Sequence, residues 1–282
     1  MAITQERLAF HIHVNIGAAL DEDIGALDLT AQLIPEHTPA RATVITRQSA
    51  VLCGIAWFEG CFRALDAQCR INWMLDEGEL AEAGQVLCEI RGNARALLSA
   101  ERAALNFLQT LSATATATRQ YVQAVTGLQT QIMDTRKTLP GLRIAQKYAV
   151  AVGGGHNQRL GLFDGVLIKE NHIIAAGSIA AALQHATRIA PPGVPVQIEV
   201  ETLKQLGTAL EHGARLILLD NFDLAALRGA VQLNAGRAQL EASGGITLEN
   251  VRLIAETGVD RISIGSLTKN LQAADLSLRF EQ

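Results

Sequence analysis

Aromatic residues are scarce: they make up 4% of the 282-residue chain, against 49% hydrophobic residues overall. A core must therefore be assembled from Ala, Leu, Ile and Val, which suits helices packed on β-branched strands better than an all-β sandwich. The four cysteines, Cys53, Cys61, Cys69 and Cys88, form no CxxC pair, and no histidine stands at zinc-finger spacing from them. They read as small buried hydrophobes in a reducing compartment. A basic excess is also missing. The formal net charge is −4, which disfavours a nucleic-acid partner. No apolar run approaches the ~18–20 residues that span a bilayer, and residues 1–20 lack a basic stretch followed by an apolar one. The expectation is a soluble cytoplasmic protein with no membrane or nucleic-acid partner.

What is present differs between two halves of the chain. Residues 1–112 begin with a helical pattern over residues 5–22. Alternating segments follow, such as Ala42-Thr43-Val44-Ile45-Thr46 and Val86-Leu87-Cys88-Glu89-Ile90, with Gly54, Gly78, Gly84 and Gly92 as turn signals. This predicts a mixed α/β domain over 1–112. It leads into a long helix from about Ser99, where Ser-Ala-Glu-Arg resembles a capped start. Residues 113–271 have another rhythm. Short apolar runs at 132–133, 166–168, 196–200, 216–219 and 262–264, with a weaker one at 240–242, alternate with helical stretches over 202–212, 223–233 and 247–257. Thr202 and Thr247 are candidate N-caps, and Gly213 and Gly258 candidate C-terminal stops. Such alternation predicts βα units on a parallel sheet. The tail, 272–282, is a candidate to pack on the first domain.

Chemically versatile residues follow the apolar runs: Asp134, Arg136 and Lys137; Lys169; Glu199 and Glu201; Asp220; Ser243-Gly244-Gly245; Gly265-Ser266. Strand C-termini converge on one face in a barrel, whereas an open sheet uses only the strands at its switch point. The recurrence at successive strands favours a barrel or near-barrel. Residues 134–169 hold Arg136, Lys137, Arg143, Lys147, Arg159 and Lys169 against Asp134 and Asp164. That segment is net +4 and leaves −8 for the rest of the chain. Arg136, Lys137 and Lys169 stand at inferred strand ends and suit a small polyanion. Arg143 and Lys147, four apart on an inferred helix, fit a solvated or internally paired face. Guanidinium groups grip carboxylates in a bidentate way and lysine supplies a point charge, so the mixture suits several carboxylates or phosphates. Glu199 and Asp220 are oxygen donors that suit Mg²⁺ carried on a phosphorylated substrate, or else ion-pair partners of the cations. Gly244-Gly245 and Gly265-Ser266 precede helices and either hold phosphate at a helix N-terminus or simply end strands.

Several strings resemble the quinolinate phosphoribosyltransferase family, also called nicotinate-nucleotide pyrophosphorylase (carboxylating). They are Asp-Thr-Arg-Lys-Thr-Leu-Pro-Gly-Leu-Arg (134–143), Gly-Gly-Gly-His-Asn-Gln-Arg-Leu-Gly-Leu (153–162), Leu-Ile-Lys-Glu-Asn-His (167–172), Ser-Ala-Glu-Arg-Ala-Ala-Leu-Asn-Phe-Leu-Gln (99–109) and Leu-Asp-Asn-Phe (219–222). The resemblance runs in order over nearly the whole chain. It implies an incomplete (β/α) barrel with an N-terminal mixed α/β domain. It also implies a homodimer, further assembly left open, whose sites borrow Arg102 across the interface. The implied reaction joins quinolinate to phosphoribosyl pyrophosphate with Mg²⁺ and yields nicotinate mononucleotide, pyrophosphate and CO₂, as in NAD biosynthesis. Carried over, Arg102, Arg136, Gln158, Arg159 and Lys169 would surround the carboxylates and nearby phosphates. Lys137 would sit at the reacting centre, Glu199 and Asp220 by the ribose and metal, and Ser243, Gly244, Gly245, Gly265 and Ser266 at phosphate.

One position departs from the family string. Asn157-Gln158-Arg159 stands where the family usually has Asn-His-Arg, so an amide replaces a group that can become a cation. The expectation is weaker binding with a flattened pH dependence, and a lower KM for quinolinate at pH 6 in Gln158→His. Three rivals compete. A sister group shares the Thr-Arg-Lys-Thr string but lacks the strand-end lysine, so Lys169 argues against it. A Schiff-base aldolase would use Lys169 as a nucleophile. Residues 76–90 resemble a biotinyl or lipoyl carrier hairpin, yet residues 71–92 contain no lysine to modify.

Overall fold

A computed structural model describes residues 3–281. Helix α1 (Gln5–Ile24) starts at Thr4, whose hydroxyl accepts the Arg7 N–H at 3.3 Å. Strands β1 (Pro39–Thr46) and β2 (Ala50–Val51), helix α2 (Ile55–Leu65), and strands β3 (Arg70–Trp73), β4 (Leu80–Ala81) and β5 (Val86–Asn93) follow, then helix α3 (Ala94–Ala124). Next come β6 (Gln131–Met133), α4 (Arg143–Val152), β7 (Val166–Ile168), α5 (Glu170–Ala176), α6 (Ile179–Ile189) and β8 (Val196–Val200). The chain continues through α7 (Leu203–Glu211), β9 (Leu216–Asp220), α8 (Leu224–Asn234), β10 (Gln239–Ser243), α9 (Val251–Ala255), β11 (Arg261–Ser263), α10 (Ser266–Lys269) and β12 (Leu276–Phe280). No described helix is long and apolar enough to cross a membrane.

The chain divides into two compact units that do not follow its linear order. One comprises residues up to 119, 138–154 and from 267 onward; the other comprises 120–137 and 155–266. The sequence boundary at 112/113 falls inside α3, which runs unbroken to Ala124, and residues 138–154 join the first unit.

In the first unit an antiparallel sheet has the order β12-β1-β5-β3, so the C-terminal strand pairs with the first one. Val44, Cys88 and Ile90 pack under the sheet with Trp57, Phe58, Phe62, Leu97 and Leu108, all fully buried. The few aromatics are thus concentrated here. All four cysteines are free and buried, as their sequence context predicts. Burial pushes the Cys61 thiol up to about 12 and the Cys69 thiol to about 11, so they are inert packing groups. Helix α2 lacks a side-chain cap of its own. Glu77, inside the carrier-like hairpin, accepts the N–H groups of Gly54 and Ile55 at 2.7 and 3.1 Å, which gives that hairpin an ordinary structural role.

Two helix starts differ from the sequence expectation. Helix α3 begins at Ala94, five residues before Ser99, because the Asn93 side chain accepts the N–H groups of Arg95 and Ala96. Ser99 instead bonds Asp28 at 2.6 Å. Helix α9 begins at Val251. Thr247 sits in the preceding turn and donates its N–H to Asn250 Oδ1 at 2.9 Å. Thr202 does cap α7, and Gly213 and Gly258 take left-handed φ at helix ends.

The second unit is built on six parallel strands in the order β6-β11-β10-β9-β8-β7. From β7 to β11 each strand lies beside its sequence neighbour, and β6 flanks β11. In a closed barrel β6 would meet β7. Here the chain between them supplies α4 to the other unit, and His156 forms a backbone bridge to Met133 on the free edge of β6. The result is an incomplete barrel. Apolar residues such as Ile198, Val200, Ile217, Leu219, Leu240, Ala242 and Ile262 are buried. The alternate side carries the polar Gln197, Glu199, Glu241 and Ser263 beside Leu167, Leu216 and Leu218.

Candidate active site

The C-terminal ends of the six strands carry the residues singled out from sequence. After β6, Asp134 is fully buried and the chain turns at Thr135, whose hydroxyl accepts the Lys137 N–H at 3.1 Å. Lys137 runs alongside the loop after β11: a Cβ on Gly265 would lie 2.9 Å from Lys137 Cδ. A side chain at 265 would therefore push the lysine aside.

Lys169 follows β7 and places Nζ 3.0 and 3.3 Å from the carboxylate oxygens of Glu199 on β8. Glu199 is largely enclosed, its side chain 10% exposed, whereas Lys169 is 48% exposed. The pair counts for little in stability but fixes where both charges stand. His172 caps α5 by accepting the Lys169 N–H on Nδ1 at 3.0 Å, a structural role.

Asp220 ends β9 opposite Ser243 at the end of β10. Its carboxylate accepts from the side chain of Asn221, at 2.9 Å. Asn221 takes a left-handed φ of 57° and donates its N–H to Ser243 O at 2.9 Å. A non-glycine residue in that region stores strain and turns up where geometry is imposed for a purpose. Asn221 had no role assigned from sequence, although it stands in the Leu-Asp-Asn-Phe string at a strand end. Gly244 lies so near Asn221 that any Cβ there would collide with the Asn221 side chain. Gly244 and Gly245 have φ of 101° and 60°, so they form an open turn. They do not start a helix, since α9 begins six residues later, and α10 after Gly265 is only four residues long. Phosphate at these loops would meet turn backbone and not an extended helix terminus.

Residues 157–165 fill the open side of the barrel. Asn157 Nδ2 and Gln158 N–H both donate to Asp134, at 2.7 and 2.8 Å. Arg159 Nη1 donates to Gly165 O at 2.9 Å, and Asp164 accepts the N–H groups of Leu160 and Gly161. Burial, then the charge of nearby Arg136, push the Arg159 pKa down, with Asp164 opposing. A guanidinium remains charged regardless, so Arg136 and Arg159 form a pair of cations whose mutual repulsion an anion would relieve. Gln158 extends its amide to Glu241 on β10, a buried carboxylate that also accepts from Gln197 at 3.0 Å. A cavity of about 190 Å³ beside Gln158 and Arg159 is lined also by Val166, Pro195, Leu216 and Arg261, which lie at the starts of strands and not at their C-terminal ends. A wider cavity, about 1170 Å³, belongs to the other unit and contains none of the candidate residues.

Arg102 lies exposed on α3, and Arg143 donates to Thr138 at 3.1 Å. Lys147 is fully buried, so of the two expectations for it a solvated face is ruled out.

Family models described as quinolinate phosphoribosyl transferase, C-terminal domain and N-terminal domain match residues 114–279 and 28–112. The chain belongs to the quinolinate phosphoribosyltransferase family. It is 42% identical over 273 residues to nicotinate-nucleotide pyrophosphorylase (carboxylating) of Mycobacterium leprae, covering 93% of this chain and 95% of that one. A probable nicotinate-nucleotide pyrophosphorylase (carboxylating) of Bacillus subtilis is 41% identical over 257 residues, covering 91% and 89%. The solved nicotinate-nucleotide pyrophosphorylase of Francisella tularensis superposes with a TM-score of 0.93 at 42% identity, covering 96% of each chain. The incomplete barrel is therefore the family's fold.

Proposed function

We propose that the chain transfers the phosphoribosyl group of phosphoribosyl pyrophosphate to quinolinate, releasing pyrophosphate and CO₂ and forming nicotinate mononucleotide for NAD biosynthesis. What supports this reading best is family membership over nearly the whole chain, together with Arg136, Lys137 and Lys169 following the C-terminal ends of barrel strands and Arg136 lying near Arg159. The ring nitrogen bonds to ribose C1 as the bond from C1 to the pyrophosphate oxygen breaks. Positive charge grows on the ribose and negative charge on the leaving group. Glu199 and Asp220 face the first; Lys137 faces the second, beside the turn at Gly265 and Ser266. Ser243, Gly244 and Gly245 offer backbone donors to the 5-phosphate. The C2–carboxylate bond then breaks, its electron pair stays on C2 and takes up a proton, and CO₂ departs. Arg136 and Arg159 hold the ring through its carboxylates during both steps, Arg102 joining them from a second copy of the chain.

Among the described residues no group of three or more His, Cys, Asp or Glu side chains is placed to hold a metal ion. Two strand-end carboxylates, one already paired with Lys169, suit Mg²⁺ that arrives on the donor's pyrophosphate better than a resident ion. Glu199 and Asp220 would then be its protein ligands, and when bound it supplies positive charge beside the leaving group. The protein is proposed to act as a cytoplasmic homodimer. The test is product formation from phosphoribosyl pyrophosphate with quinolinate or nicotinate as acceptor. Quinolinate should be consumed and nicotinate should not; turnover of nicotinate alone would overturn the reading.

A further inference from the structure

Glu241 is 1% exposed, yet it sits on the polar inner side of the barrel and not against the helices. Both its oxygens are used: Oε1 accepts from Gln158 Nε2, and Oε2 accepts from Gln197 Nε2 at 3.0 Å. Gln197 belongs to β8, two strands away on one side, and Gln158 follows the bridge at the free edge of β6, on the other. One carboxylate on β10 thus ties together the two flanks of a barrel that its own backbone leaves open.

The chemistry of the pair fixes a direction. An ionised carboxylate only accepts hydrogen bonds, so each amide must turn its NH₂ toward it and its oxygen away. An amide facing another amide would have no such obligation. Asp134, also fully buried, takes the Gln158 N–H and the Asn157 side chain. Residue 158 is therefore held at its backbone by one buried carboxylate and at its side-chain tip by another. Arg159 follows directly, so the backbone that carries its side chain is held by the same contacts, and its guanidinium then reaches Gly165 O.

We propose that Glu241 is a positioning residue for the acceptor pocket: it aims the Gln158 amide into the barrel interior and thereby sets where Arg159 stands to receive the ring carboxylates. The role in turnover rests on the transferase reading above; the structural role does not. Burial raises the Glu241 pKa, and Gln197, Ser263, Gln158 and the charge of Arg261 oppose the rise, as expected of an enclosed carboxylate used for its acceptors.

The test compares Glu241→Gln, Gln158→Ala and the double variant. Glu241→Gln preserves shape but removes the acceptor-only character. Hydrogen exchange of peptides spanning 156–165 should accelerate in both single variants. The KM for quinolinate should rise about 10-fold in each while the KM for phosphoribosyl pyrophosphate stays within about 2-fold. The double variant should be no worse than either single one, since both act through one contact. Unchanged exchange in folded Glu241→Gln, additive KM effects, or equal loss for both substrates would each overturn the proposal. If Glu241→Gln does not fold, Gln158→Ala reports the same contact by exchange. If the unaltered protein makes no nucleotide, the transferase reading fails, and the exchange result alone decides the role of Glu241.

Discussion

Lys137 and Glu241 show how differently one barrel uses charge. Lys137 is exposed at the mouth, threaded past Gly265. If it stabilises charge that appears only as pyrophosphate leaves, Lys137→Ala should lower kcat on the order of 100-fold with KM changed by less than about 3-fold. Steady-state kinetics decide this, and a pure KM effect would remove the role. Glu241 makes a prediction about stability. Its folded pKa is raised above the ordinary value near 4.5. A raised carboxylate pKa means that ionising Glu241 costs more in the folded state than in the unfolded one. The associated stability is present below pH 4.5 and lost as pH rises through the raised value. Glu241→Gln does not titrate. The Tm of the variant minus that of the parent should therefore become more positive as pH increases above 4.5. A pH-independent offset would show that Glu241 is not the titrating group.

At the scale of elements, the parallel strands were legible because each is a short apolar run ended by a polar or glycine residue, which put Arg136, Lys137 and Lys169 at strand ends without the family strings. Thr202, Gly213 and Gly258 announced their caps through local chemistry alone. The starts of α3 and α9 were not legible. Asn93 caps a helix that follows a strand with no loop between, and Asn250 captures Thr247 in a turn where a helix start was expected. The convergence on Glu241 was missed for another reason. Glu241 is flanked by Leu240 and Ala242 and reads as a weak strand, since nothing local reveals that Gln158 and Gln197 converge on it. The strand-end loops carry a further prediction. Gly265 does not have a positive φ, so alanine there is not strained by its backbone. Its methyl group would still displace Lys137. Gly265→Ala should reduce kcat by roughly 10- to 100-fold, because misplacing a reacting group by about 1 Å costs that much, while its Tm stays near the parent's. A fully active variant would separate Lys137 from the reaction.

The chain is net −4 overall with a +4 segment between residues 134 and 169, of which Arg143 and Lys147 fall in the unit that does not hold the parallel sheet. The division into two units was harder to read, because α4 leaves the strand succession to join the other unit and no composition change marks its departure. The proposed dimer can be tested by mixing two inactive proteins. If Arg102 serves the partner's site, Arg102→Ala and Lys137→Ala chains that exchange subunits regain activity at about a quarter of sites, since half the dimers are mixed and each mixed dimer holds one intact site. No recovery after verified exchange would place Arg102 in its own subunit's site. The proposed reaction requires a carboxylate to leave the acceptor ring during phosphoribosyl transfer. The most direct measurement is the release of labelled CO₂ from quinolinate carrying the label in its 2-carboxylate, followed together with pyrophosphate in the presence of phosphoribosyl pyrophosphate and Mg²⁺. The two products should appear in equal amounts. Pyrophosphate without CO₂, or neither product from folded protein, would contradict it.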